Sequence, residues 1–177
     1  MMAGSPRPGV GEDDDLLALL DRLGAGNFIL VGHSMGAVIA LRAAIKRPHG
    51  IAGIVAYGPY CQFHRSLIGR LNVAGLPARP ITDLALVAHR ILGVRPISVN
   101  PPDLQRLRIP VLVIHGSDDQ VAPIDHGCRI AAALPNATLI EIPDARHTDS
   151  HSIDAKRHDQ SVREFISRIA IEQPQPV

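Results

Sequence analysis

Four short apolar runs divide the chain, and the apolar residues between them fall at helical spacing. Phe28-Ile29-Leu30-Val31 and Val111-Leu112-Val113-Ile114 are apolar on both alternations. Runs this short and this uniform predict strands buried on both faces of a sheet. Ile51 to Tyr57 and Thr138 to Ile142 predict two more, the former ended by Gly58-Pro59. Ahead of the first run, Leu16, Leu19, Leu20 and Leu23 recur at i, i+3, i+4 and i+7, which predicts a helix with one buried face. Glu12, Asp13, Asp14 and Asp15 open it, where carboxylates complement the positive end of the helix dipole, and Gly24 and Gly26 end it. Val38, Leu41 and Ile45 mark a second helix, stopped by Pro48. Another, with Pro123 near its first position, would face inward through Ile124, Gly127, Cys128 and Ala131, so Cys128 reads as a core thiol. Val162, Phe165, Ile166 and Ile169 mark the last helix.

Strands that alternate with helices build parallel βαβ units. The fold class is therefore α/β, a three-layer sandwich around a mostly parallel sheet. A length of 177 residues leaves room for one domain. We place it over residues 12–177, after a Gly/Pro-rich lead over residues 1–11 that has no periodicity and reads as mobile. The Gln-Pro-Gln-Pro-Val end reads as frayed. Residues 61–108 differ in kind: five prolines accompany one clear helix bearing Leu84, Val87, Ala88 and Ile91. A connection that long is usually a lid or a binding loop, and we read it as a cap.

Charge and cysteine content narrow the function classes. Lys plus Arg number 18 against 17 Asp plus Glu, a net charge of +1, which argues against nucleic acid and anionic membrane as partners. No stretch approaches the roughly 18 apolar residues of a membrane span, and the first fifteen residues hold no apolar run of a signal peptide. Two cysteines, Cys61 and Cys128, cannot staple a scaffold, and they point to a reducing, cytoplasmic home.

Chemistry concentrates in three places. Gly32-His33-Ser34-Met35-Gly36 joins a predicted strand to a predicted helix. In that setting the serine sits on a sharp turn, the flanking glycines let backbone pack around it, and its hydroxyl projects beside the positive end of the helix. The Met35 N–H then points where a tetrahedral oxyanion would form. Serine needs a base to take its proton and a third group to orient that base. Both should lie at the carboxyl ends of later strands, the edge where open α/β sheets carry ligands. His115-Gly116-Ser117-Asp118-Asp119 closes the third strand, and Pro143-Asp144-Ala145-Arg146-His147 follows the fourth. The order is nucleophile, acid, histidine.

On these three motifs the chain, from Phe28 to the final helix, resembles the α/β-hydrolase fold superfamily, most of all its esterase, monoacylglycerol lipase and acyl-aminopeptidase-like branch. The resemblance implies Ser34 as nucleophile, Asp119 as the acid closing an H-G-x-x-D strand end, and His147 as the base. Asp118 and His151 are the second choices for acid and base. It implies Met35 as one oxyanion donor, no cofactor and no metal, and a small-molecule acyl substrate cleaved as a carboxylic ester. Thioesterase, peptidase or acyltransferase use of the same triad is the alternative. In the cap, Leu67, Ile68, Leu71, Val73 and Leu76 favour an apolar acyl or alcohol moiety.

The chain departs from the complete fold before the elbow. That family places several strands ahead of the nucleophile strand, and one of their loops donates a second oxyanion N–H. Here 33 residues precede Ser34, and they hold one predicted helix and no strand. Losing one such donor costs about 2.7 to 4 kcal/mol of transition-state stabilisation. The Phe28 to Val31 strand would also stand at a bare edge, open to pairing with a second copy as a homodimer. A catalytically impaired fragment that binds a partner is the competing reading. The cluster His147-Thr148-Asp149-Ser150-His151, with His158, could hold zinc, but no matching Cys or Glu motif accompanies it, so no metal is expected. His33 should pack beside the elbow, and Tyr57 and Tyr60 should belong to the core.

Overall fold

All four predicted strands form, and they pair in parallel in the order in which they occur. They are β1 (Phe28–His33), β2 (Ile51–Tyr57), β3 (Val111–Gly116) and β4 (Ala137–Ile142). The computed structural model describes residues 11–24 and 26–172; most of the predicted lead and the Gln-Pro-Gln-Pro-Val end lie outside them. The helices are α1 (Glu12–Leu23), α2 (Met35–Lys46), α3 (Phe63–Val73), α4 (Ala78–Ile91), α5 (Pro101–Leu104), α6 (Asp125–Ala133), α7 (Ser150–Ile153) and α8 (Ala155–Glu172). Parallel strands need a crossover after each one, so all four carboxyl ends open on the same edge of the sheet.

The three layers follow from two apolar faces. Leu30, Ile54, Ala56, Val111 and Val113 meet Val38 and Leu41 of α2 and Ile130 of α6 in the larger core. On the other face, Phe165 and Ile169 of α8 cover Ala52, Val55, Leu112 and Ile114. Each Val, Leu, Ile or Phe among them, fully buried, contributes about 1.5–3 kcal/mol relative to exposure. Gly53 sets the approach of α8, since a Cβ there would lie 2.5 Å from Ile169 Cδ1. No helix among the described residues is long and apolar enough to cross a membrane.

Three expectations about burial change. In α1 the inward residues are Asp13, Leu16, Leu17 and Leu20, while Leu19 and Leu23 stand in solvent. The reason is electrostatic: Asp13, 2% exposed, is drawn against α2 by Arg42 at 3.2 Å and Lys46 at 2.9 Å, which turns the helix about its axis. Val31 of β1 is 67% exposed, because α8 lies over β2, β3 and β4 and leaves this end of the sheet uncovered. Among the described residues β1 has β2 as its one strand neighbour. Cys128 faces solvent; the inner side of α6 is His126, Gly127 and Ile130, with the His115 ring filling the space a Gly127 Cβ would need.

Residues 61–108 divide between an excursion and the core. α3 and α4 pack on each other, and α4 turns Leu84, Val87 and Ile91 to solvent. Ile97, Val99, Leu104 and Leu107 are buried in the larger core. Cys61 begins the segment; its thiol is buried, and burial raises its pKa. Its backbone N–H donates to Nδ1 of the fully buried His126 at 3.2 Å. Burial moves the His126 pKa down from 6.5 to about 4. Between those values the unfolded chain binds a proton that the folded chain does not, so stability falls as pH falls through that window. Urea midpoints measured near pH 7.5 and pH 5 are expected to show this loss. In His126→Asn, whose Oδ1 keeps an acceptor for Cys61, the difference between the two should shrink.

Candidate active site

Ser34, Asp119 and His147 lie just beyond the carboxyl ends of β1, β3 and β4, on the edge that parallel pairing brings together. Ser34 adopts φ 53 and ψ −115, a conformation that costs a non-glycine residue about 1–3 kcal/mol. Its N–H donates to Tyr57 O at 2.8 Å, pinning the elbow to the end of β2. Gly32 makes the turn sterically feasible: a Cβ there would lie 2.5 Å from the carbonyl carbon and oxygen of Gly36. Gly36 itself has nothing within 4 Å of its Cβ position. Close packing is thus required at one elbow glycine and not at both.

The acid and histidine loops are stitched to each other. Ser117 N–H donates to Ile142 O at 3.0 Å and Asp118 N–H to Ala145 O at 2.9 Å. A side chain at Gly116 would strike the Ala145 carbonyl. Asp144, with Ser34 one of two non-glycine residues at positive φ among those described, turns the chain after β4 toward His147. Its N–H is held by Ser117 Oγ at 2.8 Å.

His147 Nδ1 lies 2.7 Å from Asp119 Oδ2. The other Asp119 oxygen accepts the N–H groups of Val121 at 2.9 Å and Ala122 at 2.8 Å. Burial pushes this carboxyl up, but hydrogen bonds from His115, His147 and Ala122 outweigh it and hold the pKa well below the usual carboxylate range. An ionised carboxylate only accepts, so Nδ1 carries the proton and Nε2 presents a lone pair. His147 Nε2 and Ser34 Oγ are both buried, and neither has a hydrogen-bond partner. Such bonds in free enzymes often form only with substrate bound. The histidine is fixed from the elbow side: His33 Nε2 contacts His147 O at 2.7 Å, and the two rings lie 4.7 Å apart.

The second choices lie elsewhere. Asp118 is exposed, with Arg146 Nε 3.9 Å away. His151 is exposed and faces Asp159 at 3.3 Å. Asp149 accepts the Arg146 N–H at 2.5 Å. The five-residue stretch His147 to His151 is therefore not one donor set; His151 turns instead to His158 and Asp159. Tyr60 is buried as expected, and Tyr57 stacks on His158.

Two contributors escaped the sequence reading. His115, fully buried, lies within 3.3 Å of Asp119 Oδ2 and 2.6 Å of Ala122 O through Nε2, so it braces the acid loop. The i, i+4 relation of His115 to Asp119 within one motif was the available signal. Gly58, at φ +48, leaves room for the His147 ring, which a Cβ there would approach to 3.3 Å.

A parallel sheet with this elbow and these loops defines an α/β-hydrolase architecture, and comparison with known proteins agrees. The family model for the alpha/beta hydrolase fold matches residues 12–73 and 92–152, well over half of the chain. The chain belongs to the α/β hydrolase family. The interval between the two matched stretches contains α4. At the level of fold, a meta-cleavage product hydrolase from Pseudomonas fluorescens IP01 superposes with TM-score 0.68 at 16% identity, covering 94% of this chain and 74% of that one. A thermophilic esterase from Thermogutta terrifontis gives 0.67 at 23% identity, with 93% and 75% covered. The uncharacterized hydrolase YugF of Bacillus subtilis (strain 168) is 24% identical over 75% of this chain and 63% of its own. A mitochondrial palmitoyl-protein thioesterase of Rattus norvegicus is 28% identical over 66% of this chain and 43% of its own. The chain thus spans less than two thirds of either of these relatives.

Proposed function

We propose that the chain is a serine hydrolase that cleaves carboxylic esters through an acyl-enzyme. One observation carries the reading: a strained, buried serine with a free hydroxyl shares the sheet edge with a histidine whose other nitrogen is held by a carboxylate. In the proposed reaction, Ser34 Oγ attacks the acyl carbonyl carbon while its proton passes to His147 Nε2. Asp119 keeps His147 Nδ1 protonated and offsets the imidazolium charge. Met35 N–H, in the first turn of α2 where backbone donors lack helical partners, faces the oxyanion. The adduct collapses as the His147 proton leaves with the alcohol, and water then repeats the sequence to free Ser34. The chemistry is complete with side chains and water.

Gly69 sets α3 against the carbonyls of Gln120 and Val121, directly after Asp119. That placement, with Leu67, Ile68 and Leu71 partly buried on the same helix, supports an apolar acyl or alcohol group. Free thiols at Cys61 and Cys128 support a cytoplasmic setting. A thioester is the second reading, favoured by the match to a palmitoyl-protein thioesterase; a substrate panel separates the two.

Fluorophosphonate labelling of the purified 177-residue chain, read by intact mass, tests the proposal. One adduct is expected on the wild type and none on Ser34→Ala. Folded wild-type protein that takes no adduct would overturn it.

A further inference from the structure

Beyond the triad, three donor side chains converge where α7 meets the start of α8. His151 on α7 and His158 and Asp159 on α8 each offer one ligand atom, and these atoms lie within 4.8 Å of one another. His158 Nδ1 at 2.9 Å and His151 Nε2 at 3.3 Å address the same oxygen, Asp159 Oδ1. A tetrahedral ion with bonds of about 2.0–2.2 Å keeps its ligand atoms roughly 3.3–3.6 Å apart, so the 3.3 Å separation already fits, the 2.9 Å one must open slightly, and all three atoms start within 4.8 Å of one another. The donor set decides the class of ion. Two imidazoles and one carboxylate suit zinc, whereas magnesium and calcium require mostly oxygen.

Ring orientation is set before any ion arrives. His158 is largely buried and stacks on Tyr57 with centroids 5.4 Å apart, and His151 meets it edge-on at 4.8 Å. His151 and Asp159 stay open to solvent, which gives an entry path and leaves a fourth position for water. His147 is outside the set: its Nδ1 is taken by Asp119, and its Nε2 is buried and does not join the three clustered ligand atoms.

We propose that His151, His158 and Asp159 bind one zinc ion, which ties α7 to α8 and anchors the loop carrying His147. The site does not depend on ester hydrolysis.

The full chain, free of any purification tag and dialysed against a chelator, is titrated with zinc chloride by calorimetry and with cobalt chloride by visible absorption. One ion per chain is expected, with the melting temperature raised by zinc. His151→Ala and Asp159→Asn are each expected to weaken binding by at least about tenfold and to remove the thermal shift. His151 is exposed and Asp159 half-exposed, so the variants are expected to keep the fold, and circular dichroism checks that they do. No binding by the wild type, or equal binding by wild type and both variants, overturns the site. The readout is ion affinity, so its failure leaves the hydrolase reading untouched, and failed fluorophosphonate labelling leaves the zinc site untouched.

Discussion

Asp119→Asn is expected to lower kcat for ester hydrolysis by about 10⁴-fold, with the chain still folded. The argument turns on which way the new amide must face. Asp119 Oδ1 accepts two backbone N–H groups, from Val121 and Ala122, and an amide can satisfy both only with its carbonyl oxygen. The NH₂ group is thereby placed where Oδ2 was, against His147 Nδ1. A donor there requires Nδ1 to accept, which moves the imidazole proton to Nε2. In the proposed reaction Nε2 takes the Ser34 proton, so the base would be lost through the wrong tautomer while every side chain keeps its place. His115 Nε2, which approaches the same oxygen at 3.3 Å, would meet a second donor and add a modest stability cost. Steady-state kinetics with a chromogenic short-chain ester measure the effect, and KM should change little. A loss smaller than about tenfold would remove Asp119 from the orienting role.

The fold was legible because its signals are local. Phe28 to Val31 and Val111 to Ile114 are short apolar runs, and strands separated by helices leave few arrangements other than a parallel sheet. The elbow was legible for the same reason: Ser34 between glycines, strand before and helix after, is a pattern within five residues. What escaped the sequence depends on contacts distant along the chain. Asp13 turns α1 because Arg42 and Lys46 lie across from it on α2, a pairing that leucine spacing cannot register. Cys128 falls outward because the His115 ring occupies the space beside Gly127. Val31 is exposed because α8 stops short of it, and strand composition reports what could be buried without saying what arrives to bury it. His151 was grouped with His147 by proximity in sequence, yet α7 turns it toward α8.

Gly32→Ala is expected to cost at least about 3 kcal/mol of stability, at the upper end of what overpacking imposes, and to take the elbow with it. Gly36→Ala, at the other end of the same motif, is expected to add about 0.5–1 kcal/mol. The two glycines look equivalent in sequence, and their surroundings separate them. A Cβ on Gly32 would sit 2.5 Å from the Gly36 carbonyl carbon and oxygen and 2.6 Å from Ala37 N. Those are backbone atoms of the first turn of α2, which cannot swing aside as a side chain could. To relieve the contact, α2 must back away from β1, and Ser34 lies between them with its N–H tied to Tyr57 O. Since α2 also buries Ala37, Val38 and Leu41 in the larger core, its retreat opens voids there as well. Gly36 meets nothing within 4 Å and lies inside α2, where glycine carries an entropic cost that alanine lacks. Urea midpoints followed by circular dichroism read both changes. A Gly32→Ala chain as stable as the wild type would mean that α2 can move off β1 freely, and the strain at Ser34 would then not be imposed by close helix–strand packing.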